Sequence, residues 1–333
     1  MGFGAILPYL PVFLQEEAHA SVSLIGIVAA AYYLGVVSFS GLFGLASDRV
    51  GRKPLLVLGA FLYSVATLLF ITTTHHYLMI FTCKGRVYRL KVHEIPEAGR
   101  QAKGTAIVNL LSLTGDDSIT AVIPVKEYSE DLYLFMATAD GTVKKTSLAE
   151  YDSARKDGLI AINLDEGDSL IGVRLTNSNE EIILSTAKGY AIRFKEEEAR
   201  PMGRATRGVR GITLEPGDFV VSLDSMQENG ELLVVSEKGY GKRTPLNDFR
   251  STHRGGKGIK AIACTEKTGN LVAIEVVRQG DEMMIISREG IVIRINVDDI
   301  SEQGRYAQGV RVIKLSEDDT VVDMAKVMSK DDE

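Results

Sequence analysis

The residues of this chain that could do chemistry are lysines and arginines that recur beside glycines. Side chains of this type pair with phosphate groups, which gives an affinity that depends steeply on salt and little on base sequence. The candidates are Lys84, Arg86, Arg89, Lys144, Lys145, Arg193, Arg204, Arg207, Arg210, Lys242, Arg243, Arg254, Lys257, Arg294 and Arg311. Any one of them could equally belong to a solvated strand face. Because they recur at similar positions of a sequence repeat, described next, they favour one shared basic surface.

Two sets of glycines define this repeat. The first set lies in tight turns between apolar strands, 56, 48, 50 and 51 residues apart, at Gly85, Gly141, Gly189, Gly239 and Gly290. The second set is spaced 54, 50, 50 and 51 residues apart, at Gly104, Gly158, Gly208, Gly258 and Gly309. Periods of this size in β-rich sequence indicate arrays of supersecondary units. The region after residue 72 is therefore predicted to be all-β, with about five to six four-stranded blades.

Acidic residues concentrate in a different turn of each repeat, as at Asp165, Glu166, Glu215, Asp318 and Asp319. Since the period is fixed, each blade is predicted to present the two signs of charge at different places. A chain with a formal net charge of −6 can then still carry a continuous cationic rim.

The remaining composition points to no catalytic chemistry. The two cysteines, Cys83 and Cys264, are far apart and have no metal-binding spacing, which suits a reducing compartment. We therefore expect no catalytic residue, no metal and no cofactor.

The first 72 residues differ sharply from the rest. Residues 18–47 and 54–74 contain no Asp, Glu, Lys or Arg, and about 20 apolar residues suffice to cross a bilayer as a helix. The prediction is a short α-helical transmembrane fragment, with a buried soluble helical hairpin as the alternative.

The loop between these two stretches carries a motif made by Gly44, Asp48, Arg49, Gly51, Arg52 and Lys53. It resembles the loop that joins the second and third helices in transporters of the major facilitator superfamily. The alternative is a plain positively charged anchor on the cytoplasmic side of a membrane. Since the resemblance covers only about 70 residues, transport by this chain is not expected.

Several stretches of the repeat region resemble the C-terminal domain of the DNA gyrase A subunit, namely 85–91, 95–98, 137–145, 202–212 and 237–244. The related domain of topoisomerase IV is similar. The resemblance implies a disc of blades, the β-pinwheel, with double-stranded DNA bent and wrapped around its basic rim. It further implies two partners, the ATPase B subunit of gyrase together with the remainder of the gyrase A subunit. The implied location is cytoplasmic, at the nucleoid.

That family carries a box with Gly-Gly, a basic residue and Gly. A box-like stretch is found here at Thr252-His253-Arg254-Gly255-Gly256-Lys257-Gly258. Paired glycines allow the backbone to approach phosphate, and Arg254 and Lys257 supply charge. The alternative is an ordinary strained loop of one blade.

The two parts are predicted as separate domains, residues 1–71 with transporter-like membrane helices and residues 72–333 with the β-pinwheel. The charges of the loop would place the following blades outside the cell, where there is no chromosome. We therefore expect a recombined or mis-joined reading frame. The competing interpretations are a transporter fragment in the membrane through residues 1–74 with an appended β-repeat domain, and a repeat scaffold that binds another protein.

Overall fold

The computed structural model describes residues 77–96, 106–113, 117–153, 157–226, 230–316 and 318–327. The predicted membrane helices, the transporter-like motif at 44–53 and the predicted boundary at 71/72 lie outside these ranges. Inside them, no helix has the length and apolar character needed to cross a bilayer. Residues 75–333 form a compact unit of their own.

The first blade shows how every blade is built. Strands β1 (Tyr77–Thr82) and β2 (Arg86–Lys91) form an antiparallel hairpin, and β3 (Ile119–Val125) pairs with the other edge of β1. The outer strand, β6 (Leu159–Ile160), pairs with β2 although it belongs to the next repeat. Each repeat thus supplies the outermost strand of the blade before it.

Three further blades repeat this order. From inner to outer edge, blade 2 contains β7 (Leu170–Thr176), β4 (Tyr133–Thr138), β5 (Thr142–Ser147) and β10 (Val209–Arg210). Blade 3 contains β11 (Val220–Met226), β8 (Glu181–Thr186), β9 (Tyr190–Lys195) and β14 (Ile259–Lys260). Blade 4 contains β15 (Leu271–Val277), β12 (Glu231–Ser236), β13 (Tyr240–Pro245) and β18 (Val310–Arg311).

Blade 5 has three strands in the described part of the chain, β19 (Val321–Val327), β16 (Glu282–Ser287) and β17 (Val292–Asn296). Short 3₁₀ helices connect the elements, at Val92–Glu94, Ile107–Asn109, Leu148–Tyr151, Glu196–Glu198, Leu246–Asp248 and Val297–Asp299. The predicted all-β fold of about five to six blades is confirmed, with five sheets, of which four are four-stranded.

The core lies between successive blades because side chains alternate across each strand. Met79, Phe81 and Val87 of blade 1 pack on Leu134 and Met136 of blade 2, and all five are buried. The inner strands also pack in sequence, β3 on β7, β7 on β11, β11 on β15 and β15 on β19. The outer strands and their loops are left at the periphery.

Candidate nucleic-acid interface

Three equivalent loops run along the outer edges of blades 2, 3 and 4. These rim loops, residues 202–208, 252–258 and 303–309, lead into β10, β14 and β18. Each begins with a backbone N–H that donates to a strand carbonyl at 2.8 Å: Met202 to Lys145, Thr252 to Arg193 and Gln303 to Arg243. The repeat therefore places the three loops in the same position on three successive blades.

The rim loops are also joined to the blade before them. The backbone N–H of Asn163 donates to the carbonyl of Thr206 at 3.0 Å, and that of Thr213 donates to Gly256 at 2.8 Å. A third bond of this kind joins Ala263 to Ala307 at 3.3 Å. The three donors lie just after the outer strands of blades 1, 2 and 3. Backbone hydrogen bonds therefore connect the periphery continuously from blade 1 to blade 4, and this connected periphery is here called the band.

A glycine lets each rim loop lie against its own blade. Gly258 has φ +73°, and an added Cβ would lie 2.5 Å from the carbonyl oxygen of Ala191. Gly208 and Gly309 show the same 2.5 Å approach to a strand carbonyl. Any other residue would push the loop outwards, which explains why this glycine recurs.

Exposed cations stand on this band. The side chains of Arg207, Arg210, Lys257 and Arg311 are exposed. Among the described residues, Arg210 and Lys257 have no ion-pair partner. Arg207 lies 2.8 Å from the carboxylate of Asp165, and both side chains are well exposed, at 72% and 60%. A surface pair of this kind is weak, at most about 1 kcal/mol, so a phosphate could replace the carboxylate.

Aromatic rings orient Arg311 and one further cation, Lys260, at the rim. Lys260 Nζ lies 4.1 Å from the ring centroid of Tyr190 and donates to the carbonyl of Lys188 at 3.0 Å. Arg311 donates to the Tyr240 hydroxyl at 3.1 Å, and this hydrogen bond lowers the pKa of Tyr240. Both charges are thereby held at the outer strand.

The box-like stretch 252–258 is the rim loop of blade 3, and its arginine faces inwards. Arg254 donates through its backbone N–H and its Nε to Glu198, each at 3.0 Å, and through Nη1 to the carbonyl of Arg210 at 2.9 Å. The backbone N–H of Gly255 donates to Gly211 at 2.6 Å. Arg254 thus fastens the loop to blade 2, and Lys257 is the charge that the loop presents outwards.

Another set of predicted cations, one per blade, lies on the second hairpin strand and is paired inside the domain. The pairs are Arg89 with Asp152 at 3.3 Å, Lys145 with Glu196 at 2.9 Å, and Arg193 with Glu181, Arg243 with Glu231 and Arg294 with Glu282. Arg193 also donates to the carbonyl of Leu246 in the next repeat at 2.8 Å. Arg243 donates likewise to the carbonyl of Ile300 at 2.7 Å. Three of the ion pairs therefore join the two strands of one hairpin, while the carbonyl contacts of Arg193 and Arg243 fasten neighbouring repeats.

Two predicted cations are buried beneath the rim loops. Lys144 Nζ donates to the carbonyls of Ala161, at 2.7 Å, and Arg204, and Lys242 Nζ donates to that of Gly304 at 2.5 Å. Burial lowers the pKa of both lysines to about 8. The side chain of Lys145 is buried as well, so Lys144, Lys145 and Lys242 are not available to a ligand at the surface.

Of the remaining predicted cations, Lys84 is exposed in the hairpin turn of blade 1, whereas Arg86 and Arg204 are half-buried. Arg86, on β2 of blade 1, donates to the carbonyls of Asp157 at 3.1 Å and Gly158 at 3.4 Å. Arg204 is half-buried, and its backbone N–H donates to the Glu150 carboxylate at 2.9 Å.

Sequence reasoning missed two rim cations that occupy the same repeat positions as predicted ones. Arg305 lies four residues before Gly309, as Arg204 and Arg254 precede their glycines. Lys260 occupies the second position of β14, as Arg210 does in β10. Aligning the repeats on the second glycine would have identified both.

The acidic turns lie against the hairpin turns and not on a separate edge. Asp168 accepts from the backbone N–H of Asp140 at 2.9 Å, and Asp218 accepts from that of Lys188 at 3.0 Å. Their carboxylates thus help to close the hairpins. The pair of Arg207, in the rim loop of blade 2, with Asp165 shows that the two signs of charge meet at the periphery.

Comparison with known proteins adds two family matches. Residues 1–83 match the Major Facilitator Superfamily. Five segments, residues 76–126, 132–177, 180–225, 230–278 and 281–328, match the family described as DNA gyrase C-terminal domain, beta-propeller.

Curated relatives and solved structures agree with the second match. The DNA gyrase A subunit of Halalkalibacterium halodurans is 58% identical and that of Escherichia coli is 41% identical, in each case over 265 residues that cover 80% of this chain. That region is 32% and 30% of those two proteins, so the chain spans about a third of their length.

Among solved structures, a DNA gyrase A C-terminal domain has a TM-score of 0.68 at 30% identity, covering 77% of this chain and 83% of the other. The C-terminal domain of DNA topoisomerase IV has a TM-score of 0.71 at 28% identity, covering 78% and 81%. With five repeats matched in phase with the five sheets, the chain belongs to the DNA gyrase C-terminal domain, beta-propeller family.

Proposed function

We propose that this domain binds double-stranded DNA along its outer periphery. The binding surface, here called the rim surface, consists of the three rim loops with β10, β14 and β18. The observation that carries the proposal is the backbone bonding that joins these loops from blade to blade, while an exposed cation lies on each loop or on the outer strand that follows it. A series of cations on a hydrogen-bonded band suits a polymer of phosphates.

We further propose that the bound duplex is bent and wrapped. The rim surface follows the arc of the blades, so a duplex that touches all three rim loops must follow the same arc. Bending a site of 20–30 base pairs costs roughly 1–6 kcal/mol, and additional phosphate contacts offset that cost. The contacts carry no base information, so we expect little sequence preference.

In the complete enzyme, the domain would serve as the DNA-wrapping part of the A chain of a type IIA topoisomerase. The curated relatives are DNA gyrase A subunits, of which this chain spans about a third. The ATPase B subunit, with the remainder of the A subunit, would supply strand passage and ATP hydrolysis, and the complex would act in the cytoplasm on the nucleoid. The role of the rim surface would then be to support ATP-dependent negative supercoiling.

Retardation of linear duplex DNA at increasing salt tests the binding. If three or more phosphates are neutralised, the logarithm of the binding constant should fall with the logarithm of salt concentration with a slope of roughly −3 or steeper. A protein-binding scaffold or a transporter fragment would give no retardation even at low salt. That result would reject the proposal.

The transporter-like part favours a second explanation for the chain as a whole. The match to the Major Facilitator Superfamily ends at residue 83 and the gyrase match begins at residue 76, so the two overlap within the first blade strand. We propose that the chain is a recombined or mis-joined frame, not a transporter with an appended β-repeat domain. Independent sequence reads that run continuously through codons 65–80 would overturn this explanation.

A further inference from the structure

The outer edge of blade 5 differs from the four others in the described part of the chain. In blades 1 to 4 a two-residue strand from the next repeat covers this edge, whereas β17 has no such neighbour. Ile291 and Val292 are accordingly 43% and 54% exposed. At the position of Val292, Val87 and Val143 in blades 1 and 2 are fully buried. An uncovered strand edge with exposed apolar side chains is a template for pairing.

The hairpin turn of blade 5 is open for the same reason. An added Cβ at Gly85 would lie 2.7 Å from the carbonyl oxygen of Ile162, and one at Gly239 would lie 2.6 Å from the side chain of Ile313. At Gly290 an added Cβ would meet nothing within 4 Å. Blade 5 therefore has a socket, formed by Gly290, Ile291 and Val292, that is filled by an isoleucine in the other blades.

The side chain that would fill this socket is exposed on the first repeat. Four residues after the second glycine of each later repeat stands a buried isoleucine, and these are Ile162, Ile212, Ile262 and Ile313, each at most 4% exposed. The equivalent residue of the first repeat is Val108, which is 60% exposed. Leu111, buried against Ile80 and Leu90 of blade 1, anchors the segment that presents Val108.

The socket and Val108 of one chain do not meet. The inner strand of blade 5, β19, packs on β15, but the described residues show no comparable packing of β19 on β3 of blade 1. We propose that the two surfaces are an interface between copies of this chain, in which Val108 of one copy fills the socket formed by Gly290, Ile291 and Val292 of the next. The contact would repeat, between chains, a junction that occurs four times within the chain.

This interface would be head-to-tail, because the two surfaces are different. Heterologous contacts extend into rings or open filaments. The assembly would therefore grow with protein concentration and not stop at a symmetric dimer.

Site-specific cross-linking of the full chain tests the proposal. Two single-cysteine chains, Val108→Cys and Ile291→Cys, are made in a background with Cys83→Ser and Cys264→Ala, and are mixed under mild oxidation. We expect a covalent dimer in the mixture and none with either chain alone. Adding Val292→Lys to the second chain should weaken self-association roughly tenfold or more and remove the dimer. Phe219→Cys, at an exposed residue of blade 3, is the matched control and should give no dimer with Ile291→Cys.

Two outcomes would overturn the proposal. A mixture that stays monomeric at every protein concentration tested would show that no second copy occupies the socket. A third chain carries both Val108→Cys and Ile291→Cys. An intramolecular disulfide in this chain, without a dimer in the mixture of the two single-cysteine chains, would show that blade 5 closes on blade 1 of its own chain.

Discussion

The ammonium group of Lys144 lies 2.7 Å from the carbonyl oxygen of Ala161, in the buried space between blades 1 and 2. The same nitrogen also donates to the carbonyl of Arg204 in the rim loop of blade 2. A single side chain thus joins the outer segment of one blade to the loop of the next. The position of the rim surface therefore depends on residues that do not face the ligand.

Replacing Lys144 by Met should destabilise the domain without removing a DNA contact. The substitution removes the ammonium donor from the carbonyls of Ala161 and Arg204, of which, within the described ranges, only that of Ala161 keeps a second donor, the Tyr151 hydroxyl at 3.2 Å. We expect a cost of about 1–3 kcal/mol. Denaturant unfolding followed by the far-ultraviolet signal of the strands measures this change. Lys257→Met, at an exposed position of the rim, is the control and should leave the unfolding midpoint unchanged. Equal midpoints for Lys144→Met and the unmodified chain would contradict the structural role.

The same lysine predicts a dependence of stability on pH. Its pKa falls from the ordinary value of 10.5 to about 8 because of burial, so the unfolded chain binds more protons between these values. Stability contributed through this group should therefore rise as pH increases from about 8 to about 10.5. The measurement compares unfolding free energies of the unmodified chain and Lys144→Met at pH 7.5 and pH 10. If the unfolding free energy of the unmodified chain fell relative to that of Lys144→Met between pH 7.5 and pH 10, the prediction would be contradicted.

Neutralising exposed rim cations should weaken DNA binding by similar amounts for all sequences. Arg210→Gln, Lys257→Gln and Arg311→Gln each remove one phosphate contact, so each should reduce the slope of the salt dependence by about 1. Fluorescence anisotropy of a labelled duplex across a salt series gives this slope. Lys126→Gln is the matched control, since Lys126 is exposed and directly follows β3, the inner strand of blade 1. If the control loses as much affinity as the rim variants, binding is a general charge effect.

The conformation of the rim loop in blade 3 can be tested with two alanine substitutions that lie two residues apart. Gly258→Ala places a Cβ 2.5 Å from the carbonyl of Ala191 at a positive φ, which should cost about 1–3 kcal/mol and displace Lys257. Gly256→Ala meets its nearest neighbour at 3.5 Å, in ordinary contact, and serves as the control. We expect only Gly258→Ala to lower both the unfolding midpoint and the DNA affinity. Identical behaviour of the two variants would show that the close approach has no importance.

The sequence predicted the blades well because their signals are local. Turn glycines such as Gly141 and Gly189, flanked by apolar runs, fix hairpins through conformational requirements that are visible in one repeat. It could not predict that the outer strand of each blade comes from the following repeat, since β6 and β10 are only two residues long. That exchange depends on tertiary packing.

The sequence also could not show which basic side chains are exposed and which are enclosed. Lys144 and Lys257 both flank conspicuous glycine motifs, yet one is enclosed and the other exposed. The difference arises because Lys144 lies on a strand covered by the next repeat, whereas Lys257 lies on the loop that does the covering. The rim surface therefore had to be identified from hydrogen bonds between repeats.

Linking number is the most direct test of the central claim that the rim surface wraps duplex DNA. The protein is bound to nicked circular plasmid, the nick is sealed by ligase, the protein is removed, and the topoisomers are separated on a gel. A wrapped duplex predicts a topoisomer distribution that shifts in proportion to bound protein, and a loss of that shift in the Arg210→Gln, Lys257→Gln, Arg311→Gln triple variant. An unshifted distribution at a protein concentration that saturates the plasmid would contradict wrapping, even though DNA is bound.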